Sequence, residues 1–137
     1  MEHHLTTYIT HDTLISALGF GTQENLEAIR NYHSGITLQT DKRIADTPLL
    51  AATLSQERLQ QQAEAIGVSG YPRMEQLFIL TINELIRQSG QTLEDKTCGL
   101  ILSTTKGNID LLARYTEHPD EAVFLWKMAE NIAGYFH

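Results

Sequence analysis

This chain is poor in cysteine, in basic residues and in long apolar runs, and each shortage closes off a class of function. A single cysteine among 137 residues excludes an internal disulfide and any zinc site built from several thiolates. Ten Lys and Arg against 17 Asp and Glu leave a net charge of −7, with a sequence pI near 5.2. A nucleic-acid surface needs clustered cations, and here Lys42-Arg43 is the sole adjacent pair. No apolar stretch approaches the ~18 residues of a membrane span. The opening residues, MEHHLTTYITHD, lack the charged segment and apolar segment of a secretory signal. The expectations are a cytoplasmic protein with no nucleic-acid partner and no membrane partner. Repeats at periods of about 20 to 50 residues are absent, and so is low-complexity sequence.

Metal and phosphate chemistry are equally thin. No histidines stand at His-x3-His or Glu-x-x-His spacing on a predicted helix, so no metal and no cofactor is expected. His3-His4 reads as a surface pair or an appended tail. His11 falls at a strand end, His33 near a helix C-terminus, His118 in a loop, and His137 at the last position. A phosphate-cradling loop needs Gly-x4-Gly-Lys-Ser/Thr, and Thr105-Lys106-Gly107 runs in the wrong order.

What is present reads as one α/β domain spanning 1–137, with 42% hydrophobic residues and length enough for one core. Leu5 to Ile9 predicts a short strand. Residues 10–22 read as a loop. Thr22 is a candidate N-cap for a helix over 23–31, closed near Gly35. Residues 36–53 are mixed, with a turn at Thr47-Pro48. A glutamine-rich helix is predicted from Leu54 to Ile66, ending at Gly67. The strongest helix runs from Arg73 to Ser89 behind Pro72, with Met74, Leu77, Phe78, Ile82 and Leu85 on one face. Gly99 to Leu102 predicts a second strand. It empties into Ser103-Thr104-Thr105-Lys106-Gly107-Asn108 and a helix reaching about Tyr115. Glu117 to Asp120 reads as a loop, and a last helix is predicted over Glu121–Tyr135.

Strand, small-residue turn and helix form the joint at which open α/β sheets place ligands. Two strands are too few for a stable open sheet, and a crossover helix should return to a parallel neighbour. The pattern therefore predicts an incomplete sheet with flanking helices. Cys98 stands before the strand, at the end opposite the usual site, and reads as a small buried or half-buried residue with no local histidine.

The order of these motifs resembles the opening of β-ketoacyl synthases of the thiolase fold. Tyr8-Ile9-Thr10 and Ile15-Ser16-Ala17-Leu18-Gly19 resemble the family's first strand and following loop. Asn25 to Arg30, then Tyr32-His33-Ser34-Gly35-Ile36, resemble its first helix and the Gly-x-Ser-Gly-Ile-like motif that ends it. Gly99 to Thr104 with Lys106-Gly107 resembles its Gly-Val-Ile-Ile-Gly strand and glycine-rich turn. Met128 to Ala133 resembles the helix before the nucleophile-bearing strand. Departures are His11 for a glycine, Ala17 for a proline, and Thr104, Thr105, Lys106 and Asn108 in a turn where glycines are usual.

The resemblance implies a partial thiolase-like fold: the N-terminal portion of a 3-oxoacyl-acyl-carrier-protein synthase. Such enzymes condense an acyl thioester with a malonyl-carrier thioester by decarboxylation, in fatty-acid or polyketide-like synthesis. It implies acyl-carrier protein as a partner and places Lys106 and Gly107 on the substrate side. The nucleophilic cysteine and its two assisting residues would follow His137, so residues 1–137 alone are expected to be inactive, with no catalytic residue of their own. The alternative is a non-catalytic module that pairs with a full-length synthase. Either way, exposed apolar side chains are expected at Phe124, Trp126 or Met128, and with them self-association.

Overall fold

Two antiparallel hairpins form in segments that the sequence reads as a loop, 10–22, and as mixed, 36–53. The structure, a computed structural model, describes residues 6–91, 93, 98–114 and 120–137. Within them the chain is a small α/β domain of two two-stranded sheets and four α-helices. The first hairpin pairs β1 (Ile15–Ser16) with β2 (Gly19–Phe20). It leads directly into α1 (Thr22–Arg30). The second pairs β3 (Ile36–Gln39) with β4 (Leu49–Ala52), Ile36 opposite Ala52 and Gln39 opposite Leu49. The helices α2 (Gln56–Ala65), α3 (Arg73–Ser89) and α4 (Leu125–Tyr135) follow.

The helix boundaries follow local chemistry. Ser55 caps α2 by accepting from the Arg58 amide, and Gly67 turns the chain at φ 74° just after its end. Pro72 precedes α3, and Gly90 closes it in the left-handed conformation, its amide bonded to the Ile86 carbonyl. For α1 the expected cap moves by one residue. Gly21 is the N-cap, because the Thr22 hydroxyl donates to Asp12 at 2.7 Å, and the helix closes at Asn31 rather than near Gly35.

The β1–β2 hairpin is held to α1 by buried Asn25, whose Nδ2 donates to the carbonyls of Gly19 at 3.0 Å and Gly21 at 2.8 Å. Gly19 is required there: a Cβ would lie 2.5 Å from the Cβ of Glu24. Glu24 bridges outward, accepting from the Phe20 amide at 2.9 Å and from Arg58 of α2 at 2.5 and 2.7 Å. The Arg58 guanidinium also lies over the Phe20 ring, 4.8 Å from its centroid.

The core joins α2, α3 and α4 through Ala63, Val68, Ile79, Ile82, Met128 and Ile132. Burying a side chain such as Ile79 stabilises by about 1.5–3 kcal/mol. Tyr135 closes one end, edge-on to Tyr71 at 6.2 Å and to Phe136 at 4.9 Å, its hydroxyl donating to the Ile66 carbonyl at 3.2 Å. Of the expected 74, 77, 78, 82 and 85 face of α3, Ile82 is buried and Met74 and Phe78 pack partly buried against the core, but the other buried positions are Glu75, Ile79 and Leu80. The helix is apolar on most sides, so its periodicity allows a rotation of part of a turn, and neighbouring helices choose it.

Five expectations are corrected. Gly99 to Leu102 is not a strand: the run 98–104 makes no bend and pairs with nothing described. The expected first strand fares the same, since residues 6–14 pair with no strand, and Leu5 lies outside the described residues. The helix after the turn is a 3-10 helix, Ile109–Arg114, as suits a segment too short to nucleate an α-helix. The last predicted helix splits into a 3-10 turn, Glu121–Val123, and α4, with Phe124 extended between them. Met128 is fully buried, so of the three apolar residues expected outside only Phe124 and Trp126 are exposed. His3, His4, Tyr115, Glu117, His118 and Pro119 lie outside the described residues.

Candidate functional site

A groove of about 700 Å³ opens between α4 and the run 98–104. Its floor and walls are largely apolar, with Leu100, Leu102, Leu125, Trp126 and Phe136 prominent, and Thr104, Glu130 and His137 supplying polar groups. Pockets of this size and composition are the usual form of small-molecule sites. Leu100 and Leu102 face the groove while Ile101, between them, is 94% exposed. That alternation is the period of a strand with one face covered. Among the described residues no backbone hydrogen bond engages Gly99 to Leu102. The segment has the sequence of a strand and the side-chain alternation of one, without a neighbour.

The turn that follows is built, not loose. The Thr104 hydroxyl accepts from the amides of Lys106 at 3.2 Å and Gly107 at 3.0 Å. Gly107 takes φ 56°, and a Cβ on it would sit 2.8 Å from Cδ2 of Leu125. Glycine is therefore demanded twice, by backbone conformation and by the approach of α4. Lys106 is exposed at the tip of the turn, and neither it nor Gly107 lines the groove. The structure thus places the two residues expected on the substrate side next to the groove, joined to it through Thr104 and Leu125.

Asn108 ends the turn in the protein interior. Its Nδ2 donates to Glu75 Oε1 at 2.8 Å and to the Ala122 carbonyl at 2.9 Å. Asn131 of α4 donates to both oxygens of the same carboxylate, at 3.4 and 3.3 Å. Glu75 is 0% exposed and Asn108 1%. Burial pushes the Glu75 carboxyl above its ordinary value of 4.5, against the amide hydrogen bonds and the more distant Lys127 charge, which pull it down. This cluster is absent from any reading of the sequence by periodicity. Glu75 sits one helical turn before Ile79 on an apolar face, and that placement is its only sequence signal.

Cys98 is exposed, not buried or half-buried as expected, because the strand that would cover it is unpaired. His137 lines the same groove, which sequence spacing could not show, and no hydrogen bond joins the two. His11 and His33 are exposed and distant in chain from the groove. Among the described residues no cluster of three or more His, Cys, Asp or Glu could hold a metal ion. No helix among them is long and apolar enough to cross a membrane.

No protein-family model matches the chain, and neither a curated protein nor a solved structure matches it significantly.

Proposed function

We propose that the chain is the N-terminal portion of a β-ketoacyl-acyl-carrier-protein synthase, with a partial thiolase-like fold, and that it contributes scaffold and substrate wall rather than the thiol chemistry. The observation that carries this reading is the state of Gly99 to Leu102: apolar, alternating, without a backbone hydrogen bond to any described residue and alongside an apolar groove. Such a segment is an edge that recruits a strand. Thr6 to Thr10, rich in β-formers and with Tyr8 and Ile9 exposed, is a second segment that pairs with no strand among the described residues. In this reading both become sheet strands once the rest of the synthase is supplied. Lys106 and Gly107 then lie on the acyl side of the joint, and acyl-carrier protein delivers the substrates.

The test is a condensation assay with acyl- and malonyl-carrier thioesters, on residues 1–137 and on the product of the full open reading frame. Turnover by the full product alone is the expected result. Turnover by residues 1–137 overturns the reading.

A second reading, a non-catalytic module that pairs with a full-length synthase, is favoured by the core. Six buried residues from α2 to α4 close around each other within this chain, as a separately folding partner requires. Co-migration of residues 1–137 with a purified synthase on size exclusion, with no turnover from the reading frame itself, would select it.

A further inference from the structure

We propose that Glu75 is a proton-responsive clasp on the Lys106–Asn108 turn: loss of its charge slackens the turn while the helical core stays closed. The geometry ties four elements to one carboxyl group. Glu75 belongs to α3, Asn108 to the turn, Asn131 to α4, and Asn108 extends the link to the Ala122 carbonyl in the 3-10 turn Glu121–Val123. Apart from this contact, the Asn108 side chain is held by the Ala122 carbonyl, its own carbonyl accepts from the Leu111 amide at 3.0 Å, and among the described residues its Oδ1 is buried without a partner. The turn's side-chain hold on α3 therefore runs through one amide-to-carboxylate bond.

That bond depends on charge. A carboxylate accepts from an amide more strongly than a neutral carboxylic acid does, by roughly twofold for charge-assisted bonds in general. Both oxygens of Glu75 already receive amide protons, which suits the ionised form. A proton on either oxygen needs an acceptor, so one amide must turn. Asn131 is half-exposed and free to present its oxygen, whereas Asn108 can turn only by giving up Ala122. Protonation thus leaves Asn108 in place on a weakened bond.

The surrounding charges do not cancel this. From α4, Lys127 faces the site, but its ammonium is bonded to Glu130 at 2.7 Å. From the 3-10 turn, Glu121 acts on Lys127 as well. From the segment before α3, Tyr71 shares a cleft wall with Glu75 and Asn131. The turn's one charge, Lys106, is exposed. None forms an ion pair with Glu75, and the geometry leaves it a lone buried carboxyl, which burial drives towards the neutral form.

Two effects then run in opposite directions as pH falls. The buried group is cheaper to hold neutral, so global stability gains. The Asn108 bond loses its charge assistance, so the turn opens more often. Side-chain amide NMR of Asn108 and Asn131 on the full chain, titrated from about pH 4 to pH 8, separates them from ordinary carboxylate titration. The expected result is one shared midpoint for both side chains, above the ordinary 4.5 of a glutamate. Hydrogen exchange at the Gly107 amide, corrected for intrinsic pH dependence, should quicken by about tenfold below that midpoint while Ile79 and Ile82 stay protected. In Glu75→Gln the shared midpoint should vanish and Gly107 should exchange at the fast rate throughout. A midpoint at or below 4.5, or Asn108 resonances that do not titrate, overturns the proposal. The wild-type titration decides even where the variant fails to fold.

Discussion

Ile79 and Ile101 carry the same side chain and meet opposite surroundings. Ile79 is fully buried in α3, and Ile101 is 94% exposed between Leu100 and Leu102, which line the groove. The difference lies in where the backbone finds its hydrogen bonds. A helix satisfies its own amides and carbonyls, so α3 needs only a face to pack against. A strand satisfies none of its own, and Gly99 to Leu102 has no neighbouring strand among the described residues. Local sequence is enough for the first and never enough for the second. The sharpest way to break the comparison is Ile79→Ala. It should cost about 2–5 kcal/mol in urea unfolding, through lost burial and the cavity left between α3 and α4.

A smaller effect separates two glycines. Gly107→Ala forces a Cβ towards Leu125 at an unfavourable φ of 56°. A loss of about 1–3 kcal/mol is expected, with the Lys106 and Gly107 amides exchanging faster. Gly70→Ala meets nothing within 4 Å and should be neutral or stabilising by up to about 1 kcal/mol. Equal losses at both positions would mean that the turn is not held against α4.

Two glutamates sharpen the contrast between the hairpin side and the core. The Arg58 guanidinium, and then the Phe20 amide, hold the Glu24 carboxyl below 4.5. A lowered folded-state value contributes stability above the unfolded value that is lost as pH falls through the folded one. Glu75 is raised, so its contribution is full below 4.5 and is lost as pH rises through its folded value. Arg58→Ala should remove about 1 kcal/mol or less, because both partners of the pair are more than a third exposed. It should also flatten the acid limb of the stability profile. Glu75→Gln should flatten the limb above 4.5 instead. Identical profiles for the two variants would count against the burial of Glu75 as the source of its shift.

How far the sequence could be read follows from the same physics. α3 was legible because Pro72, Gly90 and an apolar repeat are all local signals, and the end of α2 because Gly67 closes it, while its start at Gln56 behind the Ser55 cap falls two residues after the expected Leu54. The rotation of α3 that buries Ile79 and Glu75 was not, since it is set by α2 and α4. Residues 36–53 gave no clear pattern: β3 and β4 carry Leu38 and Leu50 outward, and an exposed hairpin has no strict alternation to display. At the candidate site Gly107 could be singled out as a turn residue, and Lys106 beside it. Asn108 and Glu75 could not be paired, being 33 residues apart with nothing in either segment to name the other. Cys98 was misjudged because its burial depended on a strand pairing that sequence predicts and the described residues do not make.

The smallest effect is the most discriminating. Ile101→Asp should change the unfolding free energy of residues 1–137 by no more than about 0.5 kcal/mol, since surface substitutions away from packed features rarely do more. The side chain is 94% exposed in the folded chain, so little apolar surface is at stake. The same change places a charge on the free edge, and charged edge residues oppose strand pairing. In the full synthase of the proposed reading it should therefore abolish condensation while residues 1–137 keep their helical signal. A loss of more than about 1.5 kcal/mol in residues 1–137 alone, together with a midpoint that depends on protein concentration, would show that the edge is already paired between copies. Ile101 would then belong with Ile79 as a buried residue, and the contrast between the two regions would be one of partner rather than of exposure.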